Sequence, residues 1–215
     1  MDGVAGTGDA TLEQVLTEAR TAGLLGPEDP VRHIEHAEAF LAAARARFGP
    51  GGPARFLDLG SGPGVPGLIL ATRWPGTRAT LLDAGERRAA FARHAADRLG
   101  IGDRVNVRNG RAEELAHDPN LREAFPLVVA RAFGTPAVTA ELAAGFLEPG
   151  GQLVVSEPPA VEPGRWDGNG LGALGLARSE PGRAAGFAVV VFTKNAPTPD
   201  RYPRRTGVPA KRPLW

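Results

Sequence analysis

Residues 55–67 read Arg-Phe-Leu-Asp-Leu-Gly-Ser-Gly-Pro-Gly-Val-Pro-Gly, the most informative segment of the chain. Its apolar start, residues 56–59, predicts a short buried strand, and residues 68–74 beyond it have an apolar pattern typical of a helix. A strand, a glycine-rich turn and a helix in this order form the first unit of a nucleotide-binding α/β sheet. We expect glycines here because a ligand must press against the backbone, where a Cβ atom would fill the space.

The glycine spacing distinguishes between two kinds of ligand. A dinucleotide site has the pattern Gly-x-Gly-x-x-Gly, which would require a glycine at the position of Val65. The chain instead has Asp58 followed by Gly60, Gly62 and Gly64 at alternate positions. This pattern resembles the glycine motif of class I methyltransferases that use S-adenosylmethionine (AdoMet), a ligand without a pyrophosphate. A glycine-rich turn that binds nothing is the alternative.

Length and composition limit the function classes. With 215 residues, 42% of them hydrophobic, the chain suits one α/β domain with a small addition. It has no apolar run long enough to cross a membrane, no signal pattern in residues 1–10 and no cysteine. We therefore expect a cytoplasmic protein without membrane contact or disulfides. The four histidines have no ligand spacing, so we also predict no metal site.

The charge is unevenly distributed along the chain. Residues 201–215 contain five basic residues and no acid, and since the net charge is +1, the rest of the chain carries −4. A basic tail on a mildly acidic body favours an RNA partner, whereas a solvated tail that balances the body is the alternative.

Two helices are predicted ahead of the sheet. Thr11 and Gln14 indicate a capping box for the first, with Leu12, Val15, Leu16 and Ala19 on one face and Gly23 after its end. Asp29 and Pro30 indicate the N-cap and first turn of the second. Its apolar stripe is predicted to contain Val31, Ile34, Phe40 or Leu41, Ala44 and Phe48. We therefore divide the chain into a helical extension (1–48), a central domain (54–195) and a basic tail (196–215) packed on or near that domain.

Further strands alternate with helices after the glycine turn, which predicts an α/β fold with a mainly parallel sheet and helices on both faces. The predicted strands lie at 79–82, 105–107, 127–130 and 152–155, the last after a turn at Pro149-Gly150-Gly151. Residues 157–186 are rich in glycine and proline and predict only a short or irregular helix. Residues 187–193 predict an antiparallel late strand near the sheet edge.

Two places after the predicted strands are candidate ligand contacts. Asp83 lies 23 residues after Gly60, where an acid in a doubly wound sheet accepts hydrogen bonds from ribose hydroxyls. An N-cap of the following helix is its alternative role. A base edge could lie against the backbone of Ala112 and Glu113, although the acids Glu113 and Glu114 would also suit the first turn of a helix.

Five segments extend the resemblance beyond one motif. They are residues 57–67, Leu82-Asp83, Arg111-Ala112-Glu113-Glu114, Ala130-Arg131-Ala132-Phe133 and the tail 201–214. In this order they resemble the ribosomal RNA small-subunit methyltransferase G family, also called glucose-inhibited division protein B. The resemblance spans about residues 29–215 and implies a Rossmann-like class I fold. It also implies AdoMet-dependent methylation of N7 of a guanine in small-subunit (16S) ribosomal RNA, free or in the 30S subunit.

The resemblance, with the glycine motif, also assigns site residues. The candidate cofactor contacts are Asp58, Gly60, Ser61, Gly62, Gly64, Val65, Asp83, Ala112, Glu113 and Arg131. Arg131 is also the candidate catalytic residue, holding the methionine end or the target nucleotide. The candidate RNA contacts are Arg201, Tyr202, Arg204, Arg205, Lys211 and Arg212, with Tyr202 available for stacking. His33 matches an Arg-His pair of the family, and an ordinary surface histidine is the alternative.

Two rival functions stay open at this point. The segment Ser156-Glu157-Pro158-Pro159 replaces a Lys-Gly pair of the family, and an acid in place of a lysine favours a small-molecule substrate. The second rival is a non-catalytic module that binds AdoMet or RNA. We expect a monomer, whichever function applies.

Overall fold

The computed structural model describes residues 4–160, 164–179, 182–184 and 186–215. Residues 1–3 and part of the glycine- and proline-rich segment 157–186 therefore lie outside the described residues. In chain order the elements are α1 (Val4–Thr21), α2 (Pro30–Phe48), β1 (Arg55–Leu59), α3 (Gly67–Arg73), β2 (Arg78–Asp83), α4 (Glu86–Arg98), β3 (Val105–Asn109), α5 (Ala112–Leu115), β4 (Phe125–Ala130), α6 (Pro136–Phe146), β5 (Leu147–Glu157), α7 (Gly168–Ala173), β6 (Leu176–Arg178), β7 (Gly182–Ala184), β8 (Phe187–Lys194) and α8 (Val208–Lys211).

The described strands form one sheet in the order β3-β2-β1-β4-β5-β8-β6, and β7 also pairs with β8. Strands β1 to β5 are parallel, and β8 runs antiparallel to β5. The predicted α/β fold with a late antiparallel strand is thus confirmed. The late strand lies near the edge, as predicted, and β6 and β7 pair with its far side.

Helices cover both faces of this sheet, as predicted. The central strand β1 alternates its side chains between two hydrophobic clusters, with Phe56 in one and Leu57 and Leu59 in the other. The first cluster includes residues of α2, α3 and α4, and the second includes residues of α6. Residues 56–59 are 0% exposed, as expected for a parallel strand buried on both faces.

The N-terminal helices correct two sequence predictions. Helix α1 begins at Val4, so Thr11 and Gln14 lie inside it and form no capping box: the preceding turn already supplies their backbone partners. Its predicted face of Leu12, Val15, Leu16 and Ala19 is confirmed as buried. In α2, Asp29 is the predicted N-cap and accepts a 2.9 Å hydrogen bond from the Val31 N–H, but the Val31 side chain is exposed.

Strand β5 begins earlier than predicted. Leu147 pairs with Phe125, and the next pair joins Gln152 to Leu127. The residues between form an irregularity within one strand, so Pro149-Gly150-Gly151 does not separate helix from strand as a turn would. The irregular segment 157–186 includes the short helix α7, as predicted. In the part of the chain that the structure describes, no helix combines the length and the apolarity needed to cross a bilayer.

Candidate active site

A cavity of about 660 Å³ opens at the carboxyl ends of β1, β2, β3 and β4. This is the edge at which open parallel sheets bind ligands, and the volume suits a small molecule or cofactor. Eight of the ten predicted cofactor contacts line it: Gly60, Ser61, Gly62, Val65, Asp83, Ala112, Glu113 and Arg131.

The glycine turn after β1 is shaped mainly by the protein itself. Gly60, Gly62 and Gly64 have φ angles of 71°, 56° and 106°, which residues other than glycine rarely adopt. A Cβ atom on Gly60 would lie 2.3 Å from Phe133, and one on Gly64 would lie 2.4 Å from Leu68. The expectation that a ligand requires these glycines is therefore incomplete, because backbone conformation and neighbouring side chains already require them.

Asp58 and Gly64 support the turn from behind and do not line the cavity. The Asp58 side chain is 0% exposed, and its Oδ2 accepts a 2.7 Å hydrogen bond from the Gly67 N–H. Burial raises the pKa of Asp58 to about 7, although the Gly67 N–H and the positive charge of Arg131 oppose this. Asp58 thus ties the start of α3 to β1 and has no direct path to a ligand in this cavity.

Asp83 faces the cavity and is already bonded to the loops around it. Its Oδ2 accepts a 2.9 Å hydrogen bond from the Gly62 N–H, and its Oδ1 accepts bonds from the Gly85 N–H (2.7 Å) and Arg88 Nε (2.9 Å). The N-cap of α4 is Gly85, so the alternative N-cap role of Asp83 is wrong. Each carboxylate oxygen can accept more than one bond, so a ribose contact stays a prediction.

The C-terminal tail completes the wall beside α5. Glu113 is 5% exposed, and its Oε1 accepts hydrogen bonds from Arg111 Nη2 (3.0 Å) and the Gly207 N–H (3.1 Å). Ala210, in helix α8 just beyond, lines the same cavity. Sequence analysis placed the tail on or near the domain but did not predict that it would contribute to this wall.

Arg131 is held by a histidine from the N-terminal extension. Its Nη1 lies 2.9 Å from Nδ1 of His33, which is 3% exposed, so the interpretation of His33 as a surface histidine is wrong. Burial lowers the pKa of His33, and the positive charge of Arg131 lowers it further. A neutral imidazole can accept a hydrogen bond at Nδ1 from the Arg131 guanidinium, and the pair therefore anchors α2 to the end of β4.

A second cavity, of about 440 Å³, lies next to the first. Both are lined by residues 131–134, the segment that follows β4. The far wall of the second cavity contains Glu157, Arg165, Trp166 and Phe187. Sequence reasoning missed this cavity, although Phe133, which lines both, stands in a segment that carried the family resemblance.

The basic tail divides into internal and exposed residues. Tyr202 is 8% exposed, so its ring is not available for stacking on RNA. Arg204 is bonded to Glu141 of α6 through its backbone N–H (2.8 Å), Nε (3.0 Å) and Nη2 (2.6 Å). These contacts correct the expectation that both residues face RNA. The exposed basic residues are Arg201, Arg205, Lys211 and Arg212.

Comparison with known proteins identifies the family. A family model described as rRNA small subunit methyltransferase G matches residues 12–157. The chain belongs to this family. The ribosomal RNA small subunit methyltransferase G of Prochlorococcus marinus (strain MIT 9313) is 36% identical over 175 residues, covering 75% of this chain and 68% of the relative. The methyltransferase G of Deinococcus deserti is 38% identical over 173 residues, covering 76% and 70%.

Solved structures of other methyltransferases have a similar fold to this chain. An O-methyltransferase from Bacillus cereus in complex with SAH superposes with a TM-score of 0.59 at 19% identity, covering 87% of this chain and 91% of that one. A geranyl diphosphate C-methyltransferase from Streptomyces coelicolor gives 0.60 at 14% identity, covering 78% of each. At these identities the likeness supports the Rossmann-like methyltransferase fold alone.

Proposed function

We propose that the chain is an AdoMet-dependent methyltransferase that modifies N7 of a guanine in small-subunit ribosomal RNA. The observation that carries the proposal is its membership of the methyltransferase G family. The geometry supports it, because a cofactor-sized cavity adjoins a second cavity across the segment 131–134.

The residues of the first cavity suit AdoMet. Its volume of about 660 Å³ is in the range of cofactor sites, and it extends past the ends of four strands. Asp83 offers acceptors for ribose hydroxyls, and the Gly60–Gly62 backbone leaves room for a close approach. Ser61 Oγ and Arg131 Nε are buried and have no hydrogen-bond partner among the described residues. These two groups would bind the polar amino-acid end of the cofactor.

Methyl transfer needs alignment more than acid–base chemistry. Bound AdoMet supplies a methyl group on a cationic sulfur, which keeps the bonding electrons when the N7 lone pair takes the methyl. Neutral guanine has no proton on N7, so no side chain has to remove one. The chain's task is to orient the base and exclude water, and proximity of this kind can supply about 7–11 kcal/mol. Arg131, fixed by His33, lies where both reactants would meet.

The RNA would approach over the carboxyl edge of the sheet. Helix α8 contributes Ala210 to the cavity wall, and the neighbouring Lys211 is exposed. Together with Arg205 and Arg212 it would contact phosphates. Arg201 adjoins Tyr202, whose carbonyl is bonded to Arg122 ahead of the start of β4, so it lies toward the opposite edge. We propose a monomer that acts without a metal on the free RNA or the 30S subunit.

The function is tested with small-subunit RNA and 30S subunits from cells that lack this gene. Incubation with the purified chain and methyl-labelled AdoMet should place one methyl group on a guanine, located by mass mapping of nuclease fragments. Methylation of a small molecule but of no RNA would support the first rival function. AdoMet binding by calorimetry without any methyl transfer would support the non-catalytic module.

Arg131→Ala tests the central residue of this proposal. We expect kcat to fall at least about tenfold, because removing one positioned donor for a reacting group costs about this much or more. The control is Arg87→Ala, which removes an exposed arginine of α4 that lines neither cavity. An Arg131→Ala chain as active as the Arg87→Ala chain would remove Arg131 from the reaction.

A further inference from the structure

The second cavity contains a buried carboxylate with unused bonding capacity. Glu157 ends strand β5, and its side chain is 4% exposed. Its Oε1 accepts a 2.8 Å hydrogen bond from Trp166 Nε1. Its Oε2 forms an ion pair with Arg165 Nε at 3.4 Å, but both atoms are buried and neither has a hydrogen-bond partner within the described residues. A buried carboxylate oxygen left in this state is costly unless a ligand satisfies it.

The cavity also has one aromatic ring at its junction with the first cavity. Phe133 is half-buried, lines both cavities and stacks on no other ring among the described residues. By contrast, Phe187 stacks on His36 with a centroid distance of 4.3 Å, and Trp166 packs against Phe192 at 4.6 Å. Phe133 is therefore the ring with a face available for a planar ligand.

From this arrangement we infer that the second cavity binds the target guanine and that Glu157 selects it by its Watson–Crick edge. Guanine has two adjacent donors on that edge, N1–H and N2–H₂, which match the two oxygens of a carboxylate. Cytosine and adenine each present one amino group there, and uracil one imino group. The inference rests on the proposed function, since it names the residue that recognises the base of that reaction.

The orientation of the base supports the same assignment. In guanine, N7 lies on the edge opposite N1 and N2. If Glu157 holds the Watson–Crick edge at one end of the cavity, N7 points to the other end, where residues 131–134 separate the two cavities. A base turned out of its RNA context and stacked on an aromatic ring is how enzymes commonly reach a nucleobase.

Glu157 would also act during the reaction. When N7 gains the methyl group, the base becomes a cation, and its N1–H and N2–H₂ groups become stronger donors. A carboxylate that accepts from them therefore binds the transition state more tightly than the ground state. Loss of the carboxylate should accordingly lower kcat more than it raises KM.

The test combines a change in the enzyme with a change in the base. Once the modified guanine is mapped, RNA with inosine at that position keeps N7 and N1–H but lacks the N2 amino group. We expect the wild-type chain to methylate the inosine RNA with an efficiency lower by a factor of about ten or more, because one hydrogen bond to a charged group is lost. Glu157→Gln should lower kcat on guanine about 100-fold and bring the guanine-to-inosine ratio close to one.

Controls separate recognition from a folding defect. The affinity for S-adenosylhomocysteine should stay within about twofold of wild type in Glu157→Gln, because this residue lines only the second cavity. Glu148→Gln makes the same charge change at the other end of β5, away from both cavities, and should keep the wild-type ratio. If Glu157→Gln does not fold, the inosine comparison with the wild-type chain still decides.

The outcomes distinguish this inference from the function on which it rests. Equal methylation of guanine and inosine by the wild-type chain would overturn the inference and leave the methyltransferase function standing. So would a Glu157→Gln chain with undiminished kcat or with an unchanged ratio. A wild-type chain that methylates no ribosomal RNA would overturn the proposed function, and the inference with it.

Discussion

Asp58 is a buried acid whose protonation state depends on its surroundings. Burial raises its pKa to about 7 from 3.8, while the Gly67 N–H and Arg131 oppose the rise. The folded state therefore binds this proton more tightly than the unfolded state. The resulting stabilisation is fully present below about pH 3.8 and is lost as the pH rises through about 7.

Asp58→Asn should remove this pH dependence and keep the bond to the Gly67 N–H. We expect the free energy of unfolding of wild type, relative to the variant, to fall between about pH 4.5 and pH 6.5 by about 1.4 kcal/mol per pH unit. Urea unfolding at several pH values measures this difference. The comparison with the variant is needed because burial lowers the pKa of His36 to about 4. This histidine makes the free energy of unfolding of wild type rise with pH over much of the same range, which opposes the effect of Asp58.

The control for Asp58 is Asp103→Asn, the same substitution at an exposed position. Its unfolding free energy should follow that of wild type across the pH range. Wild-type and Asp58→Asn curves that run parallel would show that Asp58 has no raised pKa in the folded protein.

At the scale of elements, the tail after β8 is fixed to the body by buried ion pairs. Glu141 of α6 is 0% exposed, and Arg204 satisfies it with both side-chain and backbone donors. A second pair joins Lys194, the last residue of β8 and also 0% exposed, to Glu123 at 3.0 Å. Glu123 Oε1 also accepts a 2.6 Å hydrogen bond from the Thr198 N–H of the tail. Since Ala210 of α8 lines the first cavity, these contacts position a wall of the site as well as fixing the tail.

Arg204→Met should destabilise the protein by about 3–5 kcal/mol, because it removes the positive charge beside the buried Glu141 carboxylate and leaves only the backbone N–H of residue 204 as a donor to it. Thermal or urea unfolding measures the loss. The matched control is Arg205→Met, at the exposed neighbouring position, which should change stability by less than about 0.5 kcal/mol. The double variant Glu141→Leu/Arg204→Met should recover much of the lost stability. Equal stability of the Arg204→Met and Arg205→Met variants would contradict the role of Arg204 in fixing the tail.

At the scale of the whole molecule, the tail segment 206–210 and the first cavity share one side, because Thr206 and Gly207 are bonded to Glu114 and Glu113 and Ala210 lines the cavity. The first cavity lies at the carboxyl edge of the sheet, and α8 forms part of its rim. The end of α2, with the exposed Arg45 and Arg47, precedes the start of β1 and so lies toward the opposite edge. RNA bound at the site should therefore contact the basic residues of the tail and not the basic residues at the end of α2.

The double variant Arg205→Gln/Lys211→Gln should make RNA affinity less sensitive to salt. Each lost phosphate contact lowers the slope of log affinity against log salt by about 0.7 for single-stranded RNA, so two contacts lower it by about 1.4. Filter binding over a range of salt concentrations measures the slope. Arg45→Gln/Arg47→Gln removes the same charge and should leave the slope unchanged. Equal slopes for both double variants would exclude the tail as the phosphate-binding surface.

Local features of the sequence determined the fold and most of the first cavity. An apolar run, a turn whose glycines need positive φ angles and a following helix are encoded within residues 55–73, and their order places the turn at the carboxyl end of β1. Eight of the ten cofactor contacts named from sequence line the cavity because each follows a predicted strand. The domain boundaries stay a prediction.

Only the tertiary structure decided what each charged side chain does. His33 and Arg131 are 98 residues apart, and Arg204 meets Glu141 across 63, so neither pair has a signal in local sequence. Tail residues that look alike in sequence separate into Arg204, a half-buried partner of the buried Glu141, and exposed cations once the chain folds. The physical reason is that a charge acts through its burial and its neighbours in space, whereas a backbone turn is set by the residues that form it.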